Sequence, residues 1–318
     1  MKNKKIISSI VLIISILIFG VVGVLYNSID VDSNTTNSAI ENNFKKEDDI
    51  LKVYYFNVGN ADCTLLIFNN NTMLIDGANE ADSSALIKYM KELGITKLDY
   101  VIATHSDEDH IAGLDKIIDA FELGTFYMPI IKVNSEPNKD KELKELIASV
   151  NRKGQIENPN INYEFAFGEV KCLIKWIADS TKVNSNKSSV VLEATYKENR
   201  FLFMGDYEPL TKKEREIYQE YNIDIEWNNV DVVKVAHHGS KTNLIQNFYN
   251  LLLPKYAIIS AGIHDKNTVP DKEVTDAIEA ETNAVILITK EFGTILIESD
   301  GKDVNLKEPI KNNFDGNR

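Results

Sequence analysis

The run Thr104-His105-Ser106-Asp107-Glu108-Asp109-His110 sets two imidazoles and three carboxylates side by side. Neutral imidazole nitrogens and carboxylate oxygens are the groups that hold divalent cations. A hydrolytic site with two cations needs roughly six such groups within a few ångströms. His105, Asp107, Asp109 and His110 would supply four of them from one loop. The bland alternative is a solvated acidic loop with incidental histidines. Yet the chain has 5 histidines, and four of them fall in this loop and in the pair His237-His238. Random scatter along the chain rarely does that.

Residues 98–103, directly before the loop, are short and apolar and read as a buried strand. Ligand-type side chains at a strand end sit where α/β folds place their chemistry, because a rigid strand holds a loop whose side chains can converge. Three other places repeat this theme. Leu74-Ile75 runs into Asp76, residues 201–204 run into Gly205-Asp206, and residues 230–235 run into His237-His238. Taken alone, Asp206 reads more readily as the cap of a following helix than as a ligand. Gly239-Ser240 after the doublet allows a close backbone approach and caps the next segment. Further strands are expected at 51–58, 63–68, 72–75, 170–177, 189–196, 256–259, 284–288 and 294–297. Helices are expected after Ile111 and at 83–93, 142–150, 211–221 and 272–281. The polar stretch 129–162 reads as an insertion or lid. Two sets of strands interleaved with helices predict an α/β, four-layer αββα sandwich.

The ends differ in character. Lys2, Lys4 and Lys5 precede an uncharged apolar run, residues 6–26, long enough to cross a bilayer as a helix. The lysines predict that the leading end stays in the cytoplasm. The expected organisation is a membrane anchor at 1–27, a polar linker at 28–50, a globular domain at 51–303 and a polar tail at 304–318. The domain would then be extracytoplasmic on a single-pass anchor. Secretion after cleavage of the segment is the alternative. Net charge is −13; residues 1–27 bring three lysines and no acid, so the rest carries 32 basic against 48 acidic residues. Such a surface repels nucleic acid at long range unless a basic patch or bound metal offsets it. Cys63 and Cys172 are too few for a disulfide framework and read as small buried hydrophobes, with a single bridge between them left open.

The order HxDxDH, then Gly-Asp, then His-His-Gly-Ser resembles the metallo-β-lactamase fold superfamily. Val58-Gly59-Asn60-Ala61-Asp62, the 105–110 loop, Ser189-Val190-Val191-Leu192, Met204-Gly205-Asp206 and His237-His238-Gly239-Ser240-Lys241 are similar to the C-terminal hydrolase domain of ComEC-type competence proteins. The resemblance covers about residues 51–302. It implies two divalent ions, Zn or Mn. His105 and Asp107 would bind one and Asp109 and His110 the second. Asp206 would bridge them, and the doublet would complete the set, His237 being the first choice. Asp109 would also orient or deprotonate the attacking water. Asp62 and Asp76 match positions that support the site, and Asn186 and Ser189 fall where competence-type domains carry an Asn/Ser motif. His238 is a further possible ligand.

The chain also departs from the family. Residues 111–205 contain no histidine, where the wider superfamily has one. Val269-Pro270 replaces a His-Pro pair, with His264 nearby but offset. Asp107 stands where a histidine is usual, which favours a more oxygen-loving ion such as Mn²⁺. The resemblance implies hydrolysis of a phosphodiester, nucleic acid first. The alternatives are hydrolysis of a small ester or lactone, and a binding module on the same fold that has lost turnover. The membrane and a DNA-like substrate are the expected partners; no protein partner is indicated.

Overall fold

The computed structural model describes residues 49–136, 140–218, 227, 229–262 and 269–311. The expected anchor, nearly all of the linker, and His264 lie outside the described residues. Among the described residues no helix is long and apolar enough to cross a membrane.

Strand β1 (Leu51–Tyr55) shows how the core is divided. Leu51, Val53 and Tyr55 enter one apolar cluster, while Tyr54 enters another on the opposite face. A strand that is apolar on both faces must be covered on both. The same holds for β2 (Thr64–Phe68), β3 (Asn71–Ile75) and β4 (Lys97–Ile102). β5 (Glu122–Tyr127) and β6 (Ile156–Glu157) follow, and then a second series begins. It comprises β7 (Glu164–Phe167), β8 (Val170–Trp176), β9 (Val191–Tyr196), β10 (Asn199–Phe203), β11 (Val232–Lys234), β12 (Tyr256–Ile259) and β13 (Val285–Ile288). The chain then returns with β14 (Ile295–Ser299) and β15 (Val304–Leu306).

The first sheet has the order β15-β14-β1-β2-β3-β4-β5-β6, and the second β13-β12-β11-β10-β9-β8-β7. The apolar layer between them is built from alternate residues of both sheets, such as Val53, Tyr55, Leu192 and Ile258. Each such side chain taken fully out of water contributes roughly 1.5–3 kcal/mol.

Helices cover the outer faces. α1 (Ser83–Glu92) is followed by the short α2 (Glu108–Ile111), then by α3 (Leu114–Ala120) and α4 (Lys141–Lys153). Leu86, Met90, Ile117, Leu146 and Val150 from this group pack on the first sheet. α5 (Ser185–Ser188) and α6 (Lys212–Tyr218) lead to α7 (Phe248–Leu252) and α8 (Lys272–Glu281). Phe248, Leu252, Val274 and Ile278 pack on the outer face of the second sheet. The stretch read as an insertion or lid supplies α4 and β6, so its described part is built into the first layer.

Two local differences from the sequence reading have plain causes. β5 has Glu122, Gly124 and Thr125 among its first four residues, so alternation does not reveal it. The expected polar tail begins inside the fold. Val304 is buried, β15 pairs antiparallel with β14, and Thr294 bridges Ile310. Three residues are too few for a period-2 pattern to register. The return of β14 to pair with β1 across the whole chain, Val53 opposite Ile297, is likewise invisible in local pattern.

β3, β4 and β5 run parallel, as do β10 to β13. Their carboxyl ends bring five loops to one end of the two sheets: those after β3, β4, β10, β11 and β12. Here the halves touch directly. Val190 N donates to Thr104 O at 2.8 Å, and the Lys234 amine lies 2.7 Å from Asp62 Oδ2. Gly205 has φ +50, and a Cβ there would lie 2.9 Å from Thr104 Cβ. Only glycine lets the Asp206 loop approach so closely.

Candidate metal centre

Asp206 leaves β10 at 2% exposure, its backbone N–H donating to Ser189 Oγ at 3.2 Å. Four imidazole Nε2 atoms surround its carboxylate. On one side, Oδ1 lies 3.2 Å from His110 Nε2 and 3.9 Å from His238 Nε2. On the other, Oδ2 lies 3.6 Å from His237 Nε2 and 3.9 Å from His105 Nε2. Each side also has its own carboxylate. Asp107 Oδ2 is 3.6 Å from His105 Nε2. Asp109 Oδ2 is 3.2 Å from His238 Nε2 and 3.9 Å from His110 Nε2. The HxDxDH loop, the Gly-Asp turn and the histidine doublet, far apart in the chain, therefore meet at one spot.

Every Nδ1 is engaged from behind. His110 Nδ1 donates to Asp76 Oδ2 at 2.8 Å, and His238 Nδ1 to the Ser260 carbonyl at 2.9 Å. Thr104 Oγ1 donates to Asp76 Oδ2 at 2.7 Å and so accepts from His105 Nδ1 at 3.0 Å. His237 Nδ1 faces Asn243 Oδ1 at 3.0 Å. The Asn243 amide is oriented, since its Nδ2 donates to the carbonyls of Asp206 and Tyr207. With each Nδ1 keeping its proton, a cation that displaced the proton from Nε2, as on His238 Nε2 where it donates to Asp109 Oδ2 at 3.2 Å, would meet a lone pair from each ring. Engagement of the far nitrogen is how ligating imidazoles are held.

The two doublet residues diverge because of their backbone. His237 (φ 48) and His238 (φ 55) both adopt the left-handed region, and Gly239 (φ 79) follows. Such residues cost of order 1–3 kcal/mol each and persist only where the surroundings hold them. Here the turn sends successive side chains to opposite oxygens of Asp206.

The donor set fits divalent cations on a direct observation. His105 Nε2, His110 Nε2 and Asp206 Oδ1 are buried with no hydrogen-bond partner, the 3.2 Å approach of the last two lacking hydrogen-bond alignment. Buried polar atoms are normally satisfied, so three orphans aimed at one space call for a ligand. His105, His110 and Asp206 offer ligand atoms within 4.8 Å of one another, as do Asp109, His110 and His238. Asp62, Asp76 and His110 do so too. That third group is already served by protein donors: Asp76 by Thr104 N at 2.8 Å and by His110, Asp62 by the Lys234 amine at 2.7 Å.

Residues 56–263 match the description of the metallo-beta-lactamase superfamily. The chain belongs to that superfamily. It is 29% identical over 217 residues to ComE operon protein 3 of Bacillus subtilis (strain 168), covering 66% of this chain. It is 24% identical over 235 residues to Recombination protein 2 of Haemophilus influenzae, covering 72%. The chain spans only 26% of the length of each of these curated relatives. Among solved structures it is similar to the metallo-beta-lactamase fold protein YhfI from Bacillus subtilis, with a TM-score of 0.52 at 12% identity. That match covers 79% of this chain and 100% of that one. The kinship with ComEC-type proteins expected from the motifs is thus found, in a superfamily of metal-dependent hydrolases.

The charges at the centre of this superfamily member are strongly interlocked. Burial pushes the Asp206 carboxyl up, but the imidazoles of His110, His238 and His105 outweigh it and hold it well below the usual range. Burial likewise opposes the lowering of Asp109, yet His110 and His238 bring it to about 2. Asp107 is lowered against burial by His105 and Ser185. His110 and His238 are pushed down by burial and raised, on balance, by the carboxylates around them. Divalent cations take the place of protons in such a cluster.

Sequence reasoning missed several members. Asn243, Ser260, Thr104 and Ser185 carry little signal by themselves. Lys234 had one, a lysine flanked by valines in the strand-like run 230–235. Asn186 Nδ2 lies 3.3 Å from His237 Nδ1 and 3.4 Å from Glu208 Oε1, so it lines the His237 side. Cys63 and Cys172 are free and buried, and burial raises both thiols.

Asp76 gives a direct test of the supporting layer. Asp76→Ala removes the acceptor that orients His110 and Thr104, and metal affinity is expected to fall about 10–100-fold. Competition titration with a chelating dye measures this. Unchanged affinity for both ions would show that His110 is held without it.

Proposed function

We propose that this chain is a membrane-anchored hydrolase of the ComEC-like type that uses two divalent cations, Zn or Mn, to cleave a phosphodiester. The observation that carries this reading is the division of donors about Asp206. His105, Asp107 and His237 flank Oδ2, and Asp109, His110 and His238 flank Oδ1. Each side offers two imidazole nitrogens, its own carboxylate and a share of Asp206. This set suits either metal. The doublet also answers the missing histidine of residues 111–205. His237 provides the second imidazole on the His105 side, and His238 provides it on the other.

Cations held there would lower the pKa of a water from about 15.7 towards about 7, making hydroxide available at neutral pH. The protein residues set direction and access. His105, His110, Asp206 and His238 are 0–6% exposed at their side chains, whereas Asp107, Asp109 and His237 are 42%, 34% and 29% exposed. Substrate therefore approaches over those three. Asp109 would orient or deprotonate the incoming water, with His238 steadying it from within at 3.2 Å.

Similarity over most of the domain to competence-type relatives supports a phosphodiester, with nucleic acid as the first candidate. A specific observation favours a smaller substrate. A cavity of about 290 Å³ beside Asp107 is lined by Ser106, Glu108, Asp140 and Glu142, with Lys132 as its one basic residue. Such walls repel a polyanion. The lysine-led segment at residues 1–27 supports a tether that leaves the domain outside the cytoplasm.

The full chain, purified in detergent with Mn²⁺ or Zn²⁺, should hydrolyse bis(p-nitrophenyl) phosphate. Comparing single- and double-stranded DNA with that ester ranks polymer against small substrate. Asp109→Ala should slow turnover about 10²–10⁴-fold, as for loss of a general base. Equal rates in parent and variant would remove Asp109 from the reaction.

A further inference from the structure

Lys234 is 2% exposed, at the end of a strand where its neighbours are apolar. In the alternation of β11 it follows Val232 onto the face toward the first sheet. Its Nζ lies 2.7 Å from Asp62 Oδ2 and donates to the Val235 carbonyl at 3.0 Å. Asp62 belongs to the other half of the molecule, in the loop between β1 and β2. Its backbone N–H donates to Asp109 O at 3.1 Å, and its carbonyl accepts from Ala78 N at 2.9 Å. Val235 leads directly into Ala236-His237-His238. Asp62 Oδ1 is buried without a hydrogen-bond partner, 3.6 Å from His238 Nδ1.

One ammonium thus joins the backbone that carries Asp109 to the backbone that carries His238. These two side chains come from different halves and face the same oxygen of Asp206. Buried ion pairs add little net stability, because desolvation opposes the attraction. Their geometric demand remains, since both charges must stay in contact.

We propose that Lys234 is a positioning residue whose ion pair with Asp62 sets the separation of Asp109 and His238. The proposal rests on the two-cation reading above. Without the amine, Asp62 Oδ1 competes with the Ser260 carbonyl for the His238 Nδ1 proton, and the ring turns its Nε2 away from Asp109. The cation shared by Asp109, His110 and His238 then weakens, while the one beside His105 does not.

The test uses the full chain in detergent, titrated with Zn²⁺ while bound metal and thermal midpoint are followed. Lys234→Met and the neutral pair Lys234→Met with Asp62→Asn are compared with the parent. Both should bind one ion about 10–100-fold more weakly, as for loss of a group that orients a ligand. The other ion should hold within about twofold, and the neutral pair should keep the parent's thermal midpoint. Adding Lys234→Met to His238→Ala should change little further, whereas adding it to His237→Ala should weaken the remaining ion. Should Lys234→Met fail to fold, the neutral pair decides. A neutral pair that binds both ions like the parent, weakens both equally, or fails to fold overturns the proposal and makes the pair a prop of the fold. A parent that holds fewer than two ions sinks the two-cation reading itself, and that result appears before any substitution is made.

Discussion

Asp206→Asn is expected to abolish hydrolysis, by at least about 10³-fold, a loss at or beyond that from removing one preorganised charge-stabilising group. Bound metal should fall from two ions per chain to one or fewer. The change is nearly isosteric and leaves the backbone bond to Ser189 in place, so the fold should be retained. The size of the effect follows from position. Asp206 is the only described carboxylate within 4 Å of all four imidazole Nε2 atoms. Removing its charge takes one ligand from each side at once, and it leaves Asp76, 2.8 Å from Nδ1, as the closest carboxylate to His110. Elemental analysis and turnover of bis(p-nitrophenyl) phosphate, with circular dichroism as the folding check, measure the outcome. Two ions retained at the parent's rate would show that Asp206 bridges nothing.

The histidine doublet should give the second largest effect, and its pattern matters more than its size. His237→Ala and His238→Ala should each remove one ion and slow turnover about 10²-fold or more. They should remove different ions. His237 shares Asp206 Oδ2 with His105, whereas His238 shares Oδ1 with His110 and lies 3.2 Å from Asp109. The doubly substituted chain should therefore hold neither ion tightly. Metal titration of all three variants decides this. If the double variant still binds one ion with the parent's affinity, both histidines serve one side and the division about Asp206 is wrong. The backbone explains why adjacent residues can serve opposite sides: φ of 48 and 55 at successive positions turns the chain tightly in the left-handed sense.

Much of this protein was legible before any coordinates. The strands that end in ligands are apolar on both faces, so their runs stand out, and the residues after them are chemically conspicuous. His105, Asp107, Asp109 and His110 announce themselves because four coordinating groups fall within six positions. Asp206 announces itself less, since a helix cap and a metal bridge look alike in sequence. The supporting residues are quieter still. Ser260 contributes a backbone carbonyl, and Asn243 contributes an amide oriented by contacts to Asp206 and Tyr207. Nothing in local composition marks either. β15 and β5 were hidden because a three-residue strand and one interrupted by Gly124 carry no readable period.

Residue order alone determined the chemical inventory, the alternation of strands with helices, and membership of a known hydrolase superfamily, because periodicity and clustered ligand types are local properties of the chain. Only the tertiary structure decided how the inventory is shared out. Which oxygen of Asp206 each imidazole faces depends on the approach of Gly205 to Thr104 and on the twist of the doublet. The pairing of Lys234 with Asp62 depends on how two sheets meet. The contacts of Gly205 with Thr104 and of Lys234 with Asp62 join segments 101 and 172 residues apart, set by packing at the carboxyl ends of strands, and no spacing in the sequence encodes them.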